Sequence, residues 1–355
     1  MIIIIGAGLS GLVTAYRLKQ AKIPFLILEA KDRTGGRIFT KTTDNQTPIE
    51  MGATWFGKQH QNLIGLLNEL KVTAFPQYQG DYYYYDDPDS PHHGKYKLPP
   101  QEVNYRIEGG SKNLINKLFE KLEKDDIRFS SRVEEIRKEK KELIIKTENN
   151  NEFVSEQIIL AVPPKIWAHQ ITFIPSLPQD LLQIAKNTQT WMEDSIKAAV
   201  EFEKPFWREN SQPATIMSNS EPFTECYDHT NQKEDKFALC GFLNPGLKNI
   251  EAPKRKDLVL KQLANILGEQ ALHGTSYHEY IWSEDDYVKW PKDSFMHPHQ
   301  NNGHPIFRQC FLNNQLIIAS SESAATFPGY MDGAVEAGER AFDVVNQNFE
   351  RLKGH

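Results

Sequence analysis

Ile2-Ile3-Ile4-Ile5-Gly6-Ala7-Gly8-Leu9-Ser10-Gly11 stands at the head of the chain, and its reading decides the fold. Four β-branched residues in a row, stopped by glycine, read as a strand buried on both faces, the setting of a parallel sheet. G-x-G-x-x-G follows, then a helical pattern with Leu9, Leu12, Val13 and Tyr16 on one face. A second apolar run, Phe25–Leu28, ends in Glu29. Strand, glycine turn, helix, strand and acid in that order make a dinucleotide-binding unit.

Each part has a physical task. Gly6 permits the tight turn, Gly8 lets backbone approach a pyrophosphate, and Gly11 lets the helix pack on the strand. The helix start, Ala7 through Leu9 and Ser10, offers free N–H groups and the positive end of a dipole to phosphate. Glu29 lies 23 residues after Gly6, where a carboxylate accepts from ribose hydroxyls. The unit alone does not choose between NAD and FAD.

Composition narrows the rest. The 355 residues suffice for one large domain or two interwoven ones, with 39% hydrophobic and 25% charged residues. A net charge of −6 gives no nucleic-acid surface. Cys226, Cys240 and Cys310 are an odd, widely spaced set, which predicts reduced thiols in a cytoplasmic protein and no disulfide framework. A strand starting at Ile2 leaves no room for a signal peptide, the end at Leu352-Lys353 carries no hydrophobic tail, and no apolar run has membrane length. His92-His93, His297, His299 and His304 sit in loop-like sequence and do not converge on a metal site.

Directly after Glu29 comes Ala30-Lys31-Asp32-Arg33-Thr34-Gly35-Gly36-Arg37. Here the sequence resembles the flavin-containing amine oxidase family: monoamine oxidases, polyamine oxidases and L-amino-acid oxidases. The resemblance covers nearly the whole chain. It implies that Gly36 and Arg37 pass beside a FAD pyrophosphate, that Ala30 touches the same cofactor, and that Gly52-Ala53-Thr54-Trp55 lines the flavin edge. It also places Val133 at the adenine. Leu63, Leu66, Leu67 and Leu70 mark one packing helix, and Leu114, Ile115, Leu118 and Leu122 a second, with Ser111 as its N-cap. Between Ile127 and Val162 the pattern is a β-meander.

The C-terminal match is the strongest. A short strand, Leu316 to Ala319, leads to Glu322 and then to Pro328-Gly329-Tyr330-Met331-Asp332-Gly333-Ala334. The family places this acid at the ribityl chain and a helix N-terminus, here Met331 and Ala334, at the flavin pyrimidine. A helix N-terminus stabilises the negative charge of reduced flavin.

Three further readings concern chemistry. Alternation puts Lys197 on a strand among apolar neighbours, where burying a lysine is costly. The family carries a lysine in this setting, water-bridged to flavin N5, which aids reoxidation by dioxygen; a snorkelling surface lysine is the plain alternative. Tyr330 resembles one wall of the family's aromatic cage, which orients a small amine. The opposite wall falls to Trp290 or Phe295, beyond the family-like Trp282 stretch. No cysteine stands there, so FAD is expected to be non-covalent. Tyr82 to Tyr85 read as a half-exposed strand, or one pair of them lines the substrate cavity.

The resemblance therefore implies an α/β fold with a discontinuous FAD-binding Rossmann-like domain of glutathione-reductase type, residues 1–77, 106–185 and 284–355. A mixed α+β substrate domain takes 78–105 and 186–283. The implied reaction passes an amine's hydride to flavin N5, gives an imine, and converts dioxygen to hydrogen peroxide. Between Leu98 and Tyr105 the chain lacks the long helical insertion of monoamine and polyamine oxidases. The cavity is then more open, or a second subunit of a homodimer closes it. Two other readings stand beside this one: a non-amine flavin oxidoreductase on the same scaffold (desaturase, dihydronicotinamide oxidase or isomerase), and a FAD-stabilised binding protein with little turnover.

Overall fold

Alternate residues of the opening strand go to two different cores. Ile2 and Ile4 pack with Leu12, Val13, Leu114, Val335 and Ala341. Ile3 and Ile5 pack with Leu26, Ile136, Ile145, Trp167 and Leu181. A strand covered on both faces has no polar side, which is why four isoleucines suit it. The computed structural model describes residues 1–353 apart from 88, 90–93, 210–212, 214 and 221. His92 and His93 lie outside the described residues.

Ile2–Ile5 is central in a six-stranded sheet. The order is Cys310–Phe311, Leu316–Ile318, Gln157–Leu160, Ile2–Ile5, Phe25–Leu28, Ile127–Arg128. Every pairing is parallel except that of Cys310–Phe311. The sheet thus joins strands from both ends and the middle of the chain. The expected meander is shorter than its sequence span. Val133–Glu139, Glu142–Thr147 and Glu152–Ser155 pair antiparallel, but Ile127–Arg128 and Gln157–Leu160 belong to the parallel sheet.

The helix Leu9–Gln20 crosses the C-terminal helix Met331–Lys353 at close range. A Cβ on Gly338 would lie 2.6 Å from the Ser10 carbonyl oxygen and 2.9 Å from Val13 Cβ. Thr14 Oγ1 donates to the Gly338 carbonyl at 3.1 Å. The end of the chain is thereby fixed against its beginning.

A seven-stranded sheet forms the other half. Its order is Ser276–Ile281, Ile196–Phe202, Phe237–Leu243, Phe223–Asp228, Thr215–Ser218, Tyr82–Asp86, Gly94–Lys97. One face packs on the helix Ala252–Leu267 through Ile196, Ala198, Val200, Leu239, Val259 and Leu263. The other face looks toward the glycine-rich segments of the first half. Tyr82 to Tyr85 lie in this sheet as a half-exposed strand. No described helix is long and apolar enough to cross a membrane.

Candidate active site

The glycines of the opening turn differ in what holds them. Gly6 has φ +103°, and a Cβ on Gly11 would lie 2.1 Å from the Gly6 carbonyl oxygen. Both are required by the protein itself. Gly8 is not: its backbone is extended, and a Cβ there would meet nothing within 4 Å. Gly36, at φ +56°, faces it, with its own Cβ position 3.4 Å from Gly8 Cα. Gly35 N–H donates to the Ala7 carbonyl at 2.8 Å. Two bare backbone segments therefore lie side by side at the start of the helix Leu9–Gln20, with open space before Gly8. This fits the approach of a pyrophosphate.

Glu29 ends the second strand, buried. Its Oε2 accepts from Ala7 N–H at 2.6 Å and its Oε1 from Lys31 N–H at 2.9 Å. Burial pushes its carboxyl up; the two backbone donors and Lys31 work against that. Ser131 N–H donates to the Glu29 carbonyl at 2.8 Å, which brings buried Val133 near the same end of the sheet. Ala30 is half-buried next to it.

From there a cavity of about 1010 Å³ runs between the two sheets. Its lining includes Arg37, Gly52, Ala53, Thr54, Trp55, Lys197, Trp282, Tyr330 and Met331. These come from four distant parts of the chain. Leu98, Gln101 and Asn104 line it as well, in the stretch where no helical insertion occurs. None of Tyr82 to Tyr85 does.

Lys197 is 1% exposed. Its neighbours Ile196 and Ala198 point into the helix-covered core, so alternation leaves the lysine facing the cavity. Its Nζ donates to the Gly52 carbonyl at 2.6 Å and to Thr54 Oγ1, and lies 4.7 Å from the Trp55 ring centroid. Burial pushes its ammonium below the ordinary lysine range, against the opposing pull of Cys240 and Glu50.

Arg37 and Glu322 pair at 2.6 Å, and Glu322 is fully buried. Arg37 also donates to Ser321 Oγ at 2.8 Å. Removing one partner of such a pair costs about 3–5 kcal/mol because the other charge stays buried. Arg37→Met is expected to lose about that much in urea unfolding of the flavin-free protein. An unchanged midpoint would show that water already reaches Glu322.

Tyr330 caps the far side, immediately before the helix that starts at Met331. Ala334 N–H donates to the Tyr330 carbonyl at 3.0 Å. The tyrosine ring lies 6.0 Å from the His299 ring at 13° and 5.6 Å from Trp191 at 33°. His60 approaches it at 5.7 Å. His60 and His299 thus meet the tyrosine as rings that fix an aromatic plane. The sequence reading did not single out Trp191 and took His299 only as a loop histidine, because nothing in a loop sequence says which ring it will meet.

Trp282 lines the cavity, buried, with Nε1 donating to the Met51 carbonyl at 2.8 Å. Of the two candidates for the opposite wall, Phe295 lines the cavity and Trp290 does not. Trp290 instead stands outside, 39% exposed. Phe295 is 80% exposed, so it edges the cavity without enclosing it. Ser111 occupies the N-cap position but does not cap with its hydroxyl. Its own N–H goes to buried Glu50, the Lys112 N–H to Thr40 Oγ1 at 3.0 Å, and the Asn113 N–H to the Gly110 carbonyl at 2.9 Å.

A family model described as flavin containing amine oxidoreductase matches residues 9–105 and 92–346. A probable flavin-containing monoamine oxidase A of Dictyostelium discoideum is 25% identical, over 96% of this chain and 96% of its own length. Their alignment runs over 447 positions against 355 residues here, so the relative carries additional segments. Amine oxidase [flavin-containing] B of Homo sapiens is 22% identical over 96% of this chain and 85% of its own. Among solved structures, a wild-type putrescine oxidase bound to putrescine aligns over 98% of each chain, with TM-score 0.84 and 21% identity. Cyclohexylamine oxidase from Brevibacterium oxydans IH-35A aligns with TM-score 0.83 and 18% identity, over 98% of this chain and 99% of its own. These structures share the mixed α/β fold.

Proposed function

We propose, from the premise that this chain belongs to the flavin-containing amine oxidoreductase family, that it is a FAD-dependent oxidase of small amines with non-covalent cofactor. The observation that carries this is one cavity lined jointly by Gly52–Trp55, Lys197, Trp282, Tyr330 and Met331. The fold is of glutathione-reductase type. Residues 1–77, 106–185 and 284–355 form a discontinuous FAD domain, and 78–105 with 186–283 the substrate domain.

Gly6 to Gly11 and Gly36 hold the pyrophosphate, and Glu29 the ribose hydroxyls. Ala30 and Val133 adjoin the adenine. Arg37 and Glu322 border the ribityl chain, and Gly52 to Trp55 with Met331 and Ala334 frame the ring. When bound, FAD supplies the two-electron acceptor: the amine loses its α-hydrogen as hydride, the imine leaves and hydrolyses, and dioxygen is reduced to hydrogen peroxide. The chain's own residues position and exclude. Tyr330, its plane set by His299 and Trp191, orients a neutral amine, with Trp282 and Phe295 on the other side. Lys197 holds a cation in a dry setting beside that point. No general base is needed beyond deprotonation of the ammonium.

The purified protein should be yellow and bleach anaerobically with small amines. Bleaching by reduced nicotinamide but by no amine would replace this reading with a non-amine oxidoreductase. Bleaching by neither would leave a flavin-stabilised binding protein. Cellular placement and homodimer formation belong to the same proposal, and size-exclusion light scattering tests the second.

A further inference from the structure

Three strands of the seven-stranded sheet set Lys197, Phe242 and Glu225 in one row. Lys197 pairs with Phe242, and Phe242 with Glu225. The row continues to Met217, which pairs with Glu225. Residues directly opposite on neighbouring strands project to the same face. All four line the cavity. Two strand spacings separate the lysine from the glutamate, about 10 Å.

Glu225 reaches this row through a local irregularity. The register shifts between Phe223 and Glu225, so Thr224 and Glu225 both line the cavity while Phe223 stays in the core. A bulge of this kind re-aims a side chain. Gly241 admits the strand at that point: a Cβ there would lie 1.9 Å from the Glu225 carbonyl oxygen.

The charges around the cavity are otherwise matched. Arg37 pairs with Glu322, and Asp194 with Lys289 at 2.7 Å. Lys197 is held by Gly52, Thr54 and two aromatic rings. Among the described residues Glu225 has no cationic partner. Its Oε2 accepts only from the Tyr227 hydroxyl, at 2.8 Å. Burial pushes that phenol far above its ordinary range, so it remains a donor. The Tyr227 ring is itself fixed edge-on to Trp55 at 5.1 Å. A positioned carboxylate in a partly dry cavity, without a cation, suits a ligand that brings one.

We propose that Glu225 binds the second positive charge of a dicationic amine, so that the substrate class is straight-chain diamines. This rests on the amine-oxidase reading above. The reacting amine lies at the Tyr330 end. Phe242 and Met217 give the methylene chain an apolar floor, and the Lys197 cation repels the distal ammonium toward Glu225.

The test is anaerobic bleaching of the flavin-loaded protein by cadaverine against pentylamine, and by putrescine against butylamine. The diamines should half-saturate at about tenfold lower concentration or less, the value of one charge-assisted contact. Glu225→Gln should collapse that ratio through half-saturation more than through the limiting rate. Tyr227→Phe, which keeps the carboxylate but frees it, should lower the ratio by less. It carries the test if Glu225→Gln does not fold. Equal half-saturation by mono- and diamine in the wild type, or a ratio unchanged in both variants, would overturn the role of Glu225 and leave the amine oxidase standing. Bleaching by no amine would overturn both.

Discussion

Gly8→Leu is expected to fold and to purify without yellow colour. The turn around it is built by other glycines. Gly6 needs its positive φ, and Gly11 has no room for a Cβ against the Gly6 carbonyl. Gly8 has extended backbone and open space in front of it. The Cβ of a leucine there meets nothing within 4 Å and the backbone is ordinary, so the flavin-free form should change in stability by no more than about 0.5 kcal/mol. Its side chain fills the space that a pyrophosphate needs, and the backbone N–H groups of the helix start lose their ligand. Gly11→Ala is the contrasting case, because it should cost folding as well as colour. Flavin absorbance per chain and the urea midpoint together separate the two. A Gly8→Leu protein with the wild-type flavin content would move the phosphate site elsewhere.

Lys197→Met should keep its flavin and its reduction by amine, yet reoxidise in air about a hundredfold more slowly, or worse. One preorganised charge beside a developing anion is worth about that factor. Methionine fills a similar volume, so the buried strand keeps its packing. The cost of burying the wild-type ammonium is offset by Gly52, Thr54 and the ring faces of Trp55 and Phe242. A pH profile gives a second reading of the same residue. Burial lowers the Lys197 pKa from its ordinary value. The helpful cation is present below that lowered pKa and is lost as pH rises through it. Oxygen reactivity should therefore fall at a pH below about 10.4, the ordinary lysine value. Stopped-flow mixing of the reduced protein with air-saturated buffer measures both effects. Wild-type reoxidation in Lys197→Met would remove the lysine from this role.

Local pattern carried a good deal of this far. Ile2–Ile5 announced a buried strand because no residue in it can face water. The glycine spacing and Glu29 announced a nucleotide turn because each position has one steric or polar task. Lys197 stood out because it sits on a strand among apolar neighbours, where burying a lysine is costly, although a snorkelling surface lysine fitted the same pattern. Other expectations failed for equally physical reasons. The meander seemed to run from Ile127 to Val162, yet its outer strands found parallel partners across the fold, and strand sequence does not name its partner. Ser111 had the right residue type for a cap, but its backbone is already helical and the Asn113 N–H goes to the Gly110 carbonyl instead.

The cavity marks the boundary between the two kinds of information. Trp290 and Phe295 were equivalent in sequence, both aromatic and both in a loop; only the path of that loop put Phe295 at the cavity and Trp290 outside it. Trp191 and His299 became the backing of Tyr330 through contacts between separate loops. Glu225 is an ordinary glutamate until register places it in line with Phe242 and Lys197. The sequence by itself determined the opening strand and the glycine turn and singled out Lys197, because those follow from periodicity and from what a backbone tolerates. Tertiary structure alone decided which rings surround Tyr330 and which carboxylate faces the cavity. Those depend on strand register, and a shift of one residue would turn every side chain to the opposite face.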